Sequence, residues 1–531
     1  MITLATLIAA LAIWGLGRIV LSQAAPSQRT RLEVHSLAVL VGFALWACLI
    51  MAAGLALPIA NLGRGLGIGL ATTAGLAGAA LTWRTKTAPI AQPKTPWTWP
   101  ERLAAGLALF FCAFSLFYAS TMPIHIFDPV FHFAYKGKLL FHEGLMQAGW
   151  TDVEGPIGRV ITHPDYPPGV GAIESLVSLI AGDFAADEAR PLFALFVLAT
   201  GGLLFARLRE TSRRAALTGA LLWLASPFLF YSRLPHQNWL KGAYALFFGP
   251  AAGKDQFGIT MGPAGPLPGE WTMPDGWTLD GAGDLPLAAL FSAGALLLFG
   301  VMTSAGSRRR GDTLLAGLLL GGGALMKNEG LALLPVALLA AGLGWLLTQE
   351  TARPTIAKTL RTLGTTLGLA LVVAGPWLAV RHSVPTIGED YPSRLTPSGL
   401  VEAATSTQPI RVSMTTGAVE QQLVPRIVAG GFFDAVTHTP RFGLLWLLFF
   451  GALGFAALRP RQRFRGLTAA TSLAVLGAFA LYALVLVVTP WNLDALFKTA
   501  IPDRLIFHVA PLAIFALVTI FEGEGASETA D

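Results

Sequence analysis

Charge is what this chain lacks. Only 13% of its 531 residues are Asp, Glu, Lys or Arg, against about 25% in an ordinary soluble domain. That scarcity excludes a cytosolic enzyme and a charge-rich disordered protein. Cysteine is nearly absent too. Cys48 and Cys112 both sit in apolar runs, which excludes a disulfide framework and a Cys-based metal site. Nucleotide-binding signatures are missing: no GxGxxG follows a strand and no GxxxxGK[ST] is present. What is abundant is apolar: 54% of residues are hydrophobic and Gly adds 58 more. The composition describes an all-α polytopic membrane protein. The net charge of +6 reads as Lys and Arg holding its orientation, not as a nucleic-acid surface.

A spanning helix needs about 20 mostly apolar residues. Thirteen stretches meet or approach this, near 3–21, 36–57, 65–82, 103–122, 191–206, 215–232, 285–303, 312–326, 330–348, 362–380, 441–458, 466–489 and 505–521. Basic residues then fix the orientation. Arg29 and Arg31, the Arg84 to Arg102 group, Arg207 to Arg214, Arg308 to Arg310, and Arg459 to Arg465 follow the first, third, fifth, seventh and eleventh spans. With thirteen spans all five clusters fall on one face, read as cytoplasmic. The apolar segment Gly169 to Gly182 is too short to cross. A crossing there would also put the RLRETSRR loop on the wrong side, so it is expected to lie along the membrane.

Long loops at about 123–190, 233–284, 381–440 and 490–504 then face outside. They and the outer span ends carry the His, Asp, Lys and Tyr, while the spans hold almost no charge. A transporter keeps its polar residues mid-span, so this distribution favours chemistry at the outer surface. The chain divides into an N-terminal three-span region and linker (1–100), a module carrying the first outer loop (101–330), C-terminal spans (331–521) and an acidic tail (522–531) expected to be disordered.

The first outer loop is the densest in chemistry. Asp128 sits just past a span. Val130 to Gly144 then alternates Phe131, Phe133, Leu139, Leu140 and Phe141 with His132, Lys136, Lys138 and His142, the pattern of an amphipathic juxtamembrane helix. The turn His163-Pro164-Asp165-Tyr166-Pro167-Pro168-Gly169 is locked by its prolines. Each feature has a plainer reading: a helix-starting Asp, lysines that snorkel to headgroups, and a turn held by the Asp165 side chain.

These residues resemble the first loop of GT-C superfamily glycosyltransferases, in the bacterial branch related to protein mannosyltransferases and the lipid A aminoarabinose transferase. An Asp, a K-x-K pair and an HPDYP turn occur in that order. Ala324 to Gly330 (ALMKNEG) resembles the branch's "TKnEG" element, Asp284-Leu285-Pro286-Leu287 its "D-lPla" element, and Arg504 with His508 and Pro511 its late "R…P" element. The resemblance covers residues 103–521. The chain departs from it in having three spans before the catalytic loop, and FDPVFHF around the Asp.

The resemblance implies an inverting transfer of sugar from a polyprenyl-phosphate donor to a cell-envelope glycan, lipid or protein. The site would face outward from the bacterial cytoplasmic membrane. Asp128 would be the general base. Lys136, Lys138, Lys327, Arg504 and His163 would hold the leaving phosphate, and Asp165, Tyr166, Asp284 and Glu329 would contact substrate. No cofactor is implied. His125, Asp128, His132 and His163 could gather around a divalent ion, the minor alternative, since no compact ligand pair with clear spacing is present. The rival readings are a transporter or flippase of lipid-linked sugars and an O-antigen-type polymerase or ligase.

Overall fold

The structure is a computed structural model. It describes residues 2–24, 29–84, 87, 96–121, 132–145, 165–230, 282–303, 309–348, 354–384, 391–411, 419–437, 439–458, 465–493, 496 and 501–522. It is overwhelmingly helical, as the composition requires. In order come α1 (Leu4–Ser22), α2 (Arg31–Ala56), α3 (Arg64–Arg84), α4 (Trp99–Thr121), α5 (Tyr135–His142), α6 (Gly169–Ala181), α7 (Pro191–Leu208), α8 (Arg213–Leu224), α9 (Asp284–Thr303), α10 (Arg309–Met326), α11 (Asn328–Leu346) and α12 (Ile356–Arg381). After α13 (Pro397–Thr405) an antiparallel hairpin follows, β1 (Thr407–Arg411) on β2 (Val419–Leu423). The chain closes with α14 (Val424–Thr437), α15 (Leu445–Leu458), α16 (Gly466–Val488), α17 (Ile501–Phe507) and α18 (Ala510–Glu522).

Among the described residues nine helices are long and apolar enough to cross a membrane. A tenth crossing is available if α17 and α18, bent by 58° at their junction, form one broken span. The other three expected spans coincide with the shorter helices α8, α10 and α15. Hydroxyl caps start several helices. The Thr30 side chain accepts from the Glu33 N–H and the Ser212 side chain from the Ala215 N–H, satisfying amides that have no intrahelical partner.

The bundle has two chemically different ends. At one, Arg29 pairs with Glu33 at 2.8 Å and with Asp312, and Arg207 reaches Glu33 at 2.9 Å. This buried cluster joins α2 and the segment before it to α7 and α10. The second span is therefore built into the bundle, packing on α6, α7 and α10. The starts of α9 and α11, the ends of α10 and α12, and α5, α6 and α17 meet at the other end.

Helix α6 is 13 residues long and falls short of a span. A Cβ on Gly169, at its start, would strike the backbone of Leu325, at the end of α10. Near its end the Ile180 carbonyl accepts from Arg64, at the start of α3. Both ends of α6 thus touch the same end of the bundle. It stops at Gly182, whose φ of +97° suits a residue without a Cβ.

Candidate functional site

The centre of the site is Asp284, the first residue of α9 and fully buried. Its Oδ1 accepts from Lys327 Nζ at 2.9 Å and from His508 Nε2 at 2.7 Å. Its Oδ2 accepts from Arg504 Nε at 3.0 Å and Nη2 at 2.9 Å. Local structure aims each donor. Lys327 is the extended residue between α10 and α11 (φ −160°, ψ 150°), so its side chain leaves the helix surface and turns inward. Arg504 lies on α17 and His508 in the bend before α18, four positions apart and so on one face of a helical turn. Tyr482, from the last two turns of α16, closes the network with its hydroxyl 2.9 Å from His508 Nδ1.

Glu329, in the first turn of α11, lies 2.9 Å from Lys327 Nζ. Carboxylates are favoured there by the helix dipole. Burial alone would lower the hold of Lys327 on its proton. Asp284 and Glu329 more than offset that and hold the ammonium above the usual lysine range. Lys327 and Arg504 thus balance Asp284 and Glu329 in charge, inside a water-poor interior where an uncompensated ion is costly. With four donors on its two oxygens, Asp284 has no lone pair left to take a proton from an acceptor. It is an anchor for two cations rather than a base.

A second group lies alongside. Lys136 on α5 is completely buried and donates to the Tyr166 carbonyl at 3.0 Å. Its Nζ stands 5.5 Å from the centre of the Tyr166 ring, and Lys327 Nζ stands 6.0 Å from the same centre. Both ammonium groups are therefore within cation–π range of one aromatic ring. Asp165 takes long contacts of 3.4 Å from Asn328 Nδ2 and from Arg381 Nη2. This links the turn to α11 and to the end of α12. The His132 ring centre is 6.2 Å from that of Tyr166. Burial pushes the Lys136 ammonium down to about 7, with Asp165 opposing and Arg381 reinforcing the shift.

Of the residues singled out in the sequence, Lys136, Asp165, Tyr166, Asp284, Lys327, Glu329 and Arg504 come together here. Lys138 does not. Two positions from Lys136 on a helix, it points to the opposite side and is exposed. Asp128, His163 and His125 lie outside the described residues. Among the described residues no three His, Cys, Asp or Glu side chains gather as metal ligands.

The structure adds Tyr482 and Arg381, and gives partners to His508 and Asn328, which the sequence presents only within its motifs. His508 has a sequence signal in its spacing from Arg504. Arg381 has one too, as a cation at the end of a span where the orientation rule does not call for it. Tyr482 stands in an apolar run with no signal at all. No family model matches the chain, and neither a curated protein nor a solved structure matches it.

Proposed function

We propose that this chain is a GT-C-type glycosyltransferase of the bacterial cytoplasmic membrane, crossing it about thirteen times and working on its outer face. The donor is a sugar on polyprenyl phosphate and the acceptor an envelope glycan, lipid or protein. One observation carries the reading. Lys136, Lys327 and Arg504 are far apart in the chain yet share one end of the helix bundle, with the two lysines about the Tyr166 ring and Lys327 and Arg504 on one buried carboxylate. Preorganised cations beside a lipid-facing bundle end suit a reaction that releases a lipid phosphate.

In that reaction the acceptor hydroxyl oxygen attacks the anomeric carbon. The bond from that carbon to the phosphate oxygen breaks, and its electron pair leaves with the phosphate. The hydroxyl proton passes to Asp128. Lys136 supplies charge to the leaving oxygen, while Asp284 fixes Lys327 and Arg504 so that no reorganisation is needed as charge grows.

The test is transfer in reconstituted vesicles supplied with a polyprenyl-phosphate sugar and an envelope fraction. The expected result is a glycosylated product that Asp128→Asn and Lys327→Gln abolish while both variants stay folded. Movement of the donor across the bilayer with no glycosyl product would overturn the reading in favour of a transporter.

A further inference from the structure

The seam between α5 and α6 contains a group that the proposed transfer does not use. Glu174, on α6, is 1% exposed, and neither oxygen of its carboxyl has a hydrogen-bond partner among the described residues. Buried polar atoms are nearly always paired, and a buried carboxylate without a counter-ion is among the least tolerated groups in a protein interior. On one side it faces the contact between α5 and α6. The backbones of α5 and α6 touch at Gly137 and Gly171. A Cβ on Gly137 would lie 2.6 Å from Glu174 Oε2 and 3.0 Å from Gly171 Cα, and one on Gly171 would lie 2.6 Å from the Gly137 nitrogen. The Ser175 hydroxyl bridges the two helices, bonded to the Gly137 carbonyl at 3.0 Å and the Gly171 carbonyl at 2.8 Å.

The charged groups around this carboxyl do not neutralise it. On α5, Lys136 is directed to the Tyr166 carbonyl, Tyr135 is half-buried, and Lys138 and His142 are exposed. In the turn after α6, Asp187 adds a like charge and Glu188 is engaged by Thr3 ahead of α1. Arg64 of α3 is on the Ile180 carbonyl. On α1 the charge is Arg18, bonded to Thr82. On α2 and α10 the charges within the described side chains are Arg31, Glu33, His35 and Asp312, all at the opposite end of the bundle. The 3₁₀ turn Ile59–Leu62 brings none.

We propose that Glu174 is a proton-binding site that latches α5 onto α6. The protonated carboxyl keeps the glycine seam closed and Lys136 in place; loss of the proton to water leaves an unpaired carboxylate that separates the two helices. Burial, with Asp187 beside it, raises this carboxyl well above the usual range, in keeping with a neutral acid in the closed seam. Lys136 is the residue next to Gly137, so the latch reaches the functional site through a single peptide bond. The inference stands on the seam itself and holds whatever reaction the site performs.

Hydrogen exchange of the α5 amides, Tyr135 to His142, tests it on the full-length protein in nanodiscs between pH 5 and 10. Rates are normalised to those of an unstructured peptide at each pH. One linked proton makes the protection of α5 fall about tenfold per pH unit between the ordinary carboxyl range, where Glu174 of the opened seam titrates, and the raised midpoint of the closed seam, and level off above it. Glu174→Gln, a neutral isostere, should remove that slope and keep α5 protected throughout. Retention of the same slope in Glu174→Gln overturns the proposal. If that variant cannot be purified, the wild-type profile decides, and normalised protection that stays flat across the range overturns it equally.

Discussion

Removing the charge of Asp284 tests the central knot most directly. Asp284→Asn keeps the shape but turns one oxygen into an NH₂ donor. If the remaining oxygen faces Arg504, the new donor meets Lys327 Nζ and His508 Nε2, which now stand 2.9 and 2.7 Å from the carboxylate. Turned the other way, it meets both Arg504 donors. Either orientation sets donor against donor in a fully buried place, and two cations are left with Glu329 as their described carboxylate. Breaking a buried ion pair from one side costs about 3–5 kcal/mol. The Glu329 contact to Lys327 at 2.9 Å recovers part of this, so the lower half of that range is expected. Equilibrium unfolding in mixed micelles would read the loss. The decisive measurement is the double variant with Lys327→Met, which removes the stranded ammonium. It should be more stable than the sum of the two single losses by about 1–3 kcal/mol. A single variant within about 0.5 kcal/mol of wild type, with no coupling in the cycle, would refute the claim that Asp284 is a charge anchor.

Other consequences are simpler to state. Lys136→Met should reduce binding of an isoprenyl phosphate at least tenfold, while Lys138→Met, changing an exposed side chain, should leave it within about twofold; equal losses would remove the distinction between them. Because Lys136 loses its proton near pH 7, its share of anion binding should fade as pH rises from 6 to 8, and Lys136→Met should lack that component. The same depressed lysine makes the unfolded chain hold the extra proton between about 7 and its ordinary value of 10.5. Its contribution to stability therefore rises with pH across that window, and Lys136→Met should flatten that rise in unfolding measurements. Gly137→Ala places a methyl 2.6 Å from Glu174 Oε2 and 3.0 Å from the Gly171 backbone. It should cost about 1–3 kcal/mol and expose α5 to proteolysis at every pH. At the opposite end of the bundle, Arg29→Met leaves Glu33 and Asp312 with Arg207, at 2.9 and 4.0 Å, as their described cation and should destabilise by about 3 kcal/mol.

How much of this could be read from the chain depends on which physics each feature obeys. A long span is a local property, since about 20 apolar residues declare themselves without reference to the rest. The nine long helices accordingly fall where the apolar runs are. Helices α8, α10 and α15 are harder, because a buried helix in a bundle can be short and still apolar all round. The break at His508 is tertiary: the imidazole is drawn onto Asp284 and the hydroxyl of Tyr482, partners 224 and 26 residues away. The site shows the same division. Lys136, Lys327 and Arg504 were visible because cations at span ends and in outer loops stand out in a chain with so little charge. Their pairing was not, since nothing in a one-dimensional pattern says that Lys327 and Arg504 share the Asp284 carboxylate. Glu174 is the sharpest case. In the sequence it is one acidic letter in an apolar run, and a surface position on an interfacial helix would account for it. Only the contact of Gly137 with Gly171 shows that the letter lies inside a closed seam without a counter-ion. The same contact turns an unremarked glutamate into the proton latch beside Lys136.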